Sequence, residues 1–473
     1  MLVRKMLRLT IRWLWIAPRV KISSQNLQRR QVSALFVSGN KGSENCAPLK
    51  PFMDFEDAFR NIELLRETIS QRQLPIDVTQ TLEKYRKYLD VQARIRNLEK
   101  ERQEIAQMIK RLGKIREPKS DNDLKERGKQ LKNELKQIKE EFYPIEDEFI
   151  QEFLSLPNTL HPACPRDEHD KLIYNSSIPK NEKTDSHLKR NDLIKFLDDS
   201  CFYLMDEAAE FEVNSMYALV NHFVLNADFI QTSNPDFVRL VLMEANATPL
   251  EDYHVVVNRQ LENSFNPTFL AGGASFESFL GAVAKLCVHP KVLPLRLVST
   301  GRIYRKVHTT PVTKSSLFTA TQSNAVSTFV ASLTSAEADQ HMEDILNTAV
   351  DFYKKLGINF RVVYTQANKL TPAEKLRAVI EVFSPAEQRY VSVGHVSNYG
   401  DYVSKRLLFT MQDKKKYNFL HLVGGPILTT TRLIATLIEN KVMLDQVNML
   451  GSQDNLKESN PNEAIKIFKD IFA

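Results

Sequence analysis

Between Asp77 and Phe149 apolar side chains recur three and four residues apart in two successive runs, and that spacing restricts the stretch to paired helices. The first run is Tyr88, Val91, Ile95, Leu98, Ile105, Ile109 and Leu112, with Arg102 its one polar interruption. In the second, Leu124, Leu131, Ile138 and Ile145 fall seven apart and are joined by Leu135, Phe142 and Phe149. Between the runs, Gly113 and Glu117-Pro118-Lys119-Ser120-Asp121 cannot continue a helix, because Pro lacks the donor and Ser or Asp caps the next start. An antiparallel hairpin follows, with almost no aromatic core and with Pro144 kinking or restarting its second helix.

From Asp77 to Glu141 the chain has 18 Lys and Arg against 13 Asp and Glu. This mild surplus suits an arm that tracks RNA phosphates and equally an ordinary solvated coiled coil.

The first acidic residue is Glu44. Before it stand Arg4, Lys5, Arg8, Arg12, Arg19, Lys21, Arg29, Arg30 and Lys41, interleaved with Leu2, Met6, Leu9, Trp13 and Ile16. An Arg-rich, acid-free, amphipathic start is the pattern of a mitochondrial transit peptide, here assigned to residues 1–45 with cleavage between Ser38 and Asn45; the alternative is a basic RNA-binding arm. Removing it takes away more than the formal +6 charge and leaves a chain closer to neutral. Its apolar residues are too often interrupted by Arg to span a bilayer, so no membrane partner is expected. Cys46, Cys164, Cys201 and Cys287 include no CxxC pair, which predicts reduced thiols and no metal site.

After the arm, assigned to 50–155, Leu156-Pro157-Asn158-Thr159-Leu160-His161-Pro162 opens a linker (156–190) in which His161 reads as a turn residue. From 191 to 473 the pattern is strands grouped with a few helices. Strands are expected at Arg296–Tyr304, Phe318–Phe329, Phe360–Tyr364, Tyr390–Val396 and Tyr417–Val423, the last before a helix from Ile427 to Asn440. Thr334 with Glu337 forms a capping box for a helix closed near Gly357. The class is α+β, an antiparallel sheet with flanking helices. Ala464, Ile465, Ile467, Phe468, Ile471 and Phe472 form a short amphipathic tail.

This order of parts resembles seryl-tRNA synthetases, which are class II enzymes. Leu156-Pro157-Asn158 with His161 is similar to that family's joint between arm and catalytic domain, and Cys201-Phe202-Tyr203-Leu204 with Ala208, Ala209, Glu210 and Phe211 to its first catalytic helix. Pro235 in Asn234-Pro235-Asp236-Phe237 resembles the motif 1 proline at the dimer interface. Leu317 through Val330 resembles the motif 2 loop and returning strand. Ser397-Asn398 with Asp401, Tyr402 and Arg406 is similar to the strand beside the serine site, and Gly425 with Arg432 and Leu437-Ile438-Glu439-Asn440 to motif 3. Gln322 and Arg406 read as structural.

The resemblance then locates what is altered. Its serine-selecting Thr-Ala-Glu falls on Gly273-Ala274-Ser275, and its second ammonium-binding carboxylate on Ser327. Buried partners of a charged group are worth about 2–5 kcal/mol each, so the resemblance implies that serine does not bind. The motif 2 Phe-Arg-x-Glu falls on Tyr304-Arg305-Lys306-Val307, keeping the arginine and losing the glutamate. The loop's Arg, His and Phe fall on Thr319, Thr321 and Ser323. The magnesium carboxylate and hydroxyl fall on Ser392 and His395, and motif 3 Asn-Gly-Ser on Gly424-Gly425-Pro426. Arg305 and Arg432 persist, either as phosphate contacts or as structural ions. The implied protein has no catalytic residue and no cofactor. It resembles the insect mitochondrial seryl-tRNA synthetase-like group, which implies a matrix protein paired with the mitochondrial seryl-tRNA synthetase and supporting mitochondrial translation. RNA binding by the arm and a ligase of altered specificity are the alternatives.

Overall fold

The computed structural model describes residues 33–36, 38, 49–112, 120–167, 169–198, 201–256, 267–306, 316–413 and 416–444. Val307, Cys46, the hairpin tip, the amphipathic tail and most of the basic N-terminus lie outside the described residues.

The arm is built of helices α1 (Val78–Leu112) and α2 (Ser120–Ser155). Their seam buries Tyr88, Ile95, Leu135, Ile138, Phe142 and Phe149. The aromatic content is higher than the pattern suggested, because rings from outside the runs converge on the arm's base: Phe55 packs on Tyr88, Phe149 and Phe153, and Phe59 stacks on Tyr85. That cluster also explains why α2 runs unbroken through Pro144. A proline inside a helix costs about 3 kcal/mol, and anchored apolar residues on both sides of it offset that penalty. Ion pairs join the helices across the seam, Lys139 with Glu99 at 2.7 Å and Arg127 with Glu101 at 2.9 Å.

The body holds an eight-stranded sheet: β1 (Lys171–Asn175), β2 (Ile230–Thr232), β3 (Leu295–Tyr304), β4 (Gln322–Ser332), β5 (Phe360–Tyr364), β6 (Leu376–Ser384), β7 (Arg389–Gly400) and β8 (His421–Thr429). Their order is β1-β5-β6-β7-β8-β4-β3-β2. Neighbours run antiparallel except β2 and β3. Among the helices that cover it are α3 (Asp206–Ala227), α4 (Phe276–Val283), α5 (Ser335–Lys355), α6 (Tyr402–Leu407) and α7 (Thr430–Glu439). Alternation along the strands divides the core into two layers. On β4, Val326 and Val330 pack with Phe223 of α3, Tyr353 of α5 and Leu433 of α7, whereas Phe329 and Ala331 pack with Phe279 of α4 and Leu407 of α6. The capping box opens α5 as expected.

Three expectations need correction. Phe318 lies in a turn, its amide bonded to the Ser316 hydroxyl at 3.1 Å, and β4 begins only at Gln322. The strand expected at Tyr417–Val423 is two strands, Lys416–Phe419 in a small separate sheet and β8. Consequently Ile427 and Leu428 are buried strand residues, and the helix starts at Thr430. The expected strands left out β6, whose Arg377 and Glu381 stand where alternation calls for solvent.

Candidate functional site

The site lies where β3, β4, β7 and β8 meet the start of α7 and the turn before α4. Gly272 has φ +100°, and a Cβ there would sit 1.9 Å from the Arg302 carbonyl oxygen. A Cβ on Gly273 would come within 2.7 Å of the Asn234 carbonyl. The turn is thus pressed directly on the neighbouring backbone. Asp236 accepts the Gly273 amide at 2.7 Å, and the Asn234 side-chain amide donates to the Gly273 carbonyl at 3.1 Å. Ser327 is fully buried and donates to the Ala274 carbonyl. Ser275 shares a hydrogen bond with Ser278 at 2.9 Å. Where the resemblance puts groups that select serine, these hydroxyls hold the turn together.

The other half of the site is cationic. Arg305 lies 4.1 Å over the Tyr253 ring and donates to the Tyr304 carbonyl at 2.9 Å. Arg432 donates to the Ser392 carbonyl at 3.2 Å. Burial holds the Arg432 guanidinium below its ordinary value, and Arg305 and Arg389 push in the same direction. His395 is half-buried on β7: loss of hydration first, then the Arg377 charge, lower its pKa to about 3, with weaker pushes from Arg305 and Arg432 and an opposing pull from Glu374 that exceeds either of those two. Its ring carbon would lie 3.2 Å from a Cβ on Gly425, whose φ is +144°. Gly424 is packed as tightly, with a Cβ meeting the Thr328 carbonyl at 2.2 Å. Pro426 pairs with Ser327 at a break in the β4–β8 register, a place where a strand tolerates the missing donor. Ser323 is buried and bonds the hydroxyl of Thr431 at 3.1 Å, while Thr319 is exposed in the turn before β4. The structure therefore brings Gly273, Ser275, Ser323, Ser327, Ser392, His395, Gly424, Pro426, Arg305 and Arg432 around one locus. Pro235 lies between Asn234 and Asp236, which hold the Gly273 turn, and is exposed at a cavity of about 530 Å³ lined also by Thr232, Phe279 and Leu297.

Residues 53–160 match the seryl-tRNA synthetase N-terminal domain, and residues 275–441 the class II tRNA synthetase core domain (G, H, P, S and T). The chain is 49% identical over 456 residues to the serine–tRNA synthetase-like protein Slimp of Drosophila melanogaster, covering 95% of this chain and 97% of that one. The chain belongs to the seryl-tRNA synthetase family. It is 21% identical to the mitochondrial serine–tRNA ligase of Mus musculus, over 84% of this chain and 80% of the ligase. Its fold is that of the seryl-tRNA synthetase from Pyrococcus horikoshii complexed with ATP, with a TM-score of 0.74 at 20% identity over 84% of this chain and 97% of that one.

As in other members of the family, an arm is mounted on a class II body, and the mounting here is densely bonded. Arg72 donates to the carbonyls of Thr371 at 2.9 Å, Asn158 at 3.0 Å and Glu374 at 2.5 Å. The Asn158 side chain donates to Ala373 at 2.9 Å and Tyr399 at 2.7 Å. Arg406 reaches the Leu154 carbonyl at 3.2 Å, in keeping with a structural role. His161 bonds Asp339 at 3.3 Å within this joint. Behind it, Glu374 is 1% exposed and accepts from Thr371 N at 2.7 Å, Ser397 at 2.5 Å and Arg377 Nε at 2.9 Å. Burial, the largest single influence, works to raise its carboxyl, yet the charge and hydrogen bond of Arg377 together with His395 and the Ser397 hydroxyl outweigh it, and the net shift is downward.

Sequence reasoning missed Glu374, Arg377, Arg72, Glu277 and Tyr253. Glu277 is buried and gathers three donors, Thr248 at 2.9 Å, Asn246 at 3.3 Å and the Tyr253 hydroxyl at 3.3 Å, so it braces the ring under Arg305. Nothing local marks Arg72, Glu277 and Tyr253, whose partners lie tens of residues away, whereas Glu374 and Arg377 stand three residues apart and could have been read as a pair. Among the described residues there is no His, Cys, Asp and Glu group able to hold a metal, and no helix is long and apolar enough to cross a membrane.

Proposed function

We propose that this seryl-tRNA synthetase-like chain is a non-catalytic partner protein of mitochondria, pairing with the mitochondrial seryl-tRNA synthetase as a stabilising or regulatory subunit in support of translation. The observation that carries the reading is His395 held neutral among Arg305, Arg377 and Arg432. A site for magnesium and triphosphate needs carboxylate oxygen for the metal, and here the carboxylates around the pocket are already engaged, Glu374 by Arg377 and Ser397, Glu277 by Thr248 and Tyr253, and Glu212 by Thr430. The serine half supports it: at Gly273, Ser275 and Ser327 there is no carboxylate for an ammonium, and the serine hydroxyls are bonded to protein groups. Several changes in one cooperative site abolish adenylyl transfer rather than slow it.

The shell is the part suited to macromolecules. A paralogue that keeps the exposed Pro235 surface can pair with an active relative and stabilise it by mass action. The basic N-terminus supports a matrix location. The purified chain gives no serine-dependent ATP–pyrophosphate exchange, and affinity capture from mitochondria recovers the seryl-tRNA synthetase. Exchange above background, or capture without that enzyme, overturns the reading.

A second reading, RNA binding by the arm, is favoured by the exposed cations Lys100, Arg102, Lys110, Arg111, Lys129 and Lys132 toward its distal half. A charge-reversed arm that binds RNA as well as the unaltered chain removes it.

A further inference from the structure

The described N-terminal residues, 33–36 and Ser38, lie inside the stretch that sequence pattern assigns to a disposable leader, yet they are built into the fold. Leu35 is 2% exposed and sits in the core layer with Ala245, Phe276 and Phe279. Ala34 packs on the cluster of Val238, Tyr253 and Phe269, and Phe36 on the aromatic base of the arm. Three consecutive side chains therefore enter three different hydrophobic clusters. Both ends are held by carboxylates. One oxygen of Glu244 accepts from the Ser33 hydroxyl at 2.8 Å, Ala34 N at 2.8 Å and Leu35 N at 3.1 Å. Asp147, on α2, accepts from Ser38 N at 3.1 Å and the Ser38 hydroxyl at 2.8 Å. Burial raises the Glu244 carboxyl against the pull of those donors, so losing them would leave a poorly solvated acceptor with nothing to bond.

We propose that residues 33–36 and Ser38 are a permanent strap fastening the arm to the body, and that removal of the basic leader occurs upstream of Ser33, not between Ser38 and Asn45. The second half rests on the mitochondrial reading; the first does not. Removal is hydrolysis of one peptide bond by a processing protease: water adds across it, the leader leaves with a new carboxylate, and the retained chain gains an ammonium. Eight of the nine basic residues before Glu44 lie at or before Arg30, on the side that is discarded. An ammonium created at Ser33 would face Glu244, a partner of opposite charge.

Two measurements separate the halves. Mass spectrometry of the chain recovered from mitochondria of cells expressing it gives a first residue at or before Ser33; a first residue beyond Ser38 overturns the boundary. Hydrogen exchange on the purified full-length chain shows the amides of Ala34, Leu35 and Ser38 slowed at least about 100-fold, with Glu244→Ala and Leu35→Ala each abolishing most of that protection at 34 and 35. Unprotected amides in the unaltered chain overturn the strap. A chain found only outside mitochondria sinks the targeting reading and with it the boundary, while the exchange result still decides the strap.

Discussion

The joint at Asn158 and the pocket at His395 share strand β7, yet they treat charge in opposite ways. At the joint a buried carboxylate is matched by Arg377, and Arg72 finds three carbonyls. In the pocket Arg305 and Arg432 each donate to a single carbonyl and stand near enough for Arg305 to weaken the protonation of Arg432. A buried charge that keeps its partners is costly to disturb, whereas like charges crowded together with few protein partners contribute little to the fold's stability. The contrast says which region the fold depends on, and it can be broken at either end.

The largest effect is expected at the joint. Glu374→Ala leaves Arg377 and Ser397 without their acceptor and lowers unfolding free energy by about 3–5 kcal/mol, read by urea denaturation. A loss under about 1 kcal/mol would show that the joint is no better anchored than the pocket.

Next comes the turn at Gly273-Ala274-Ser275, where the resemblance puts the serine-selecting segment. Gly273→Ala forces a Cβ to 2.7 Å from a backbone oxygen and costs about 1–3 kcal/mol. Restoring the family's threonine there is thus barred by packing, and Ser327→Glu alone leaves pyrophosphate exchange at background. A freely tolerated alanine would mean that the turn still has room for the family's side chain.

What could be read in the sequence follows the same division. The arm was legible because an apolar residue every three or four positions has one structural meaning, and Thr334 with Glu337 announces a helix start within four residues. Strand β6 carries a signal of the same kind, with Leu376, Ala378, Ile380 and Val382 alternating with Arg377, Val379 and Glu381; what the alternation does not show is that Glu381 pairs with Arg361 at 2.7 Å across strands and Arg377 with Glu374. Rings that complete the arm's base come from Phe55 and Phe59, outside both runs, which is why its aromatic core was underestimated. In the pocket, residue identities at Ser327 and His395 were visible, but not that the Ser327 hydroxyl bonds Ala274 or that three arginines surround His395. Such partners are set by tertiary structure.

His395 gives a pH signature of the pocket. Its folded pKa of about 3 lies below the ordinary 6.5, so the folded state keeps the ring neutral while the unfolded chain takes up a proton as pH falls below 6.5. The stability it contributes is present above about pH 6.5 and is lost as pH falls toward 3, with a slope of about 1.4 kcal/mol per pH unit. Against His395→Gln, the unaltered chain should lose about 2 kcal/mol more between pH 7 and 5 in paired urea titrations. Parallel curves would mean that the ring reaches solvent and the cations do not confine it.

The smallest effect is expected for the arginines themselves. Arg305→Met gives up a contact with Tyr253 worth about 0.5–1 kcal/mol and relieves repulsion on Arg432, and the two nearly cancel. Arg432→Met removes a half-buried guanidinium that donates to the Ser392 carbonyl, and a Met of similar length fills its place. Each variant should stay within about 1 kcal/mol of the unaltered chain, on either side of zero, and millimolar ATP with magnesium should leave all three melting temperatures unchanged. A loss of about 3 kcal/mol would make the arginines as structural as the joint. An ATP-dependent rise of several degrees that vanishes in Arg305→Met would instead show a nucleotide subsite still working, because only a ligand that prefers the folded state moves the midpoint.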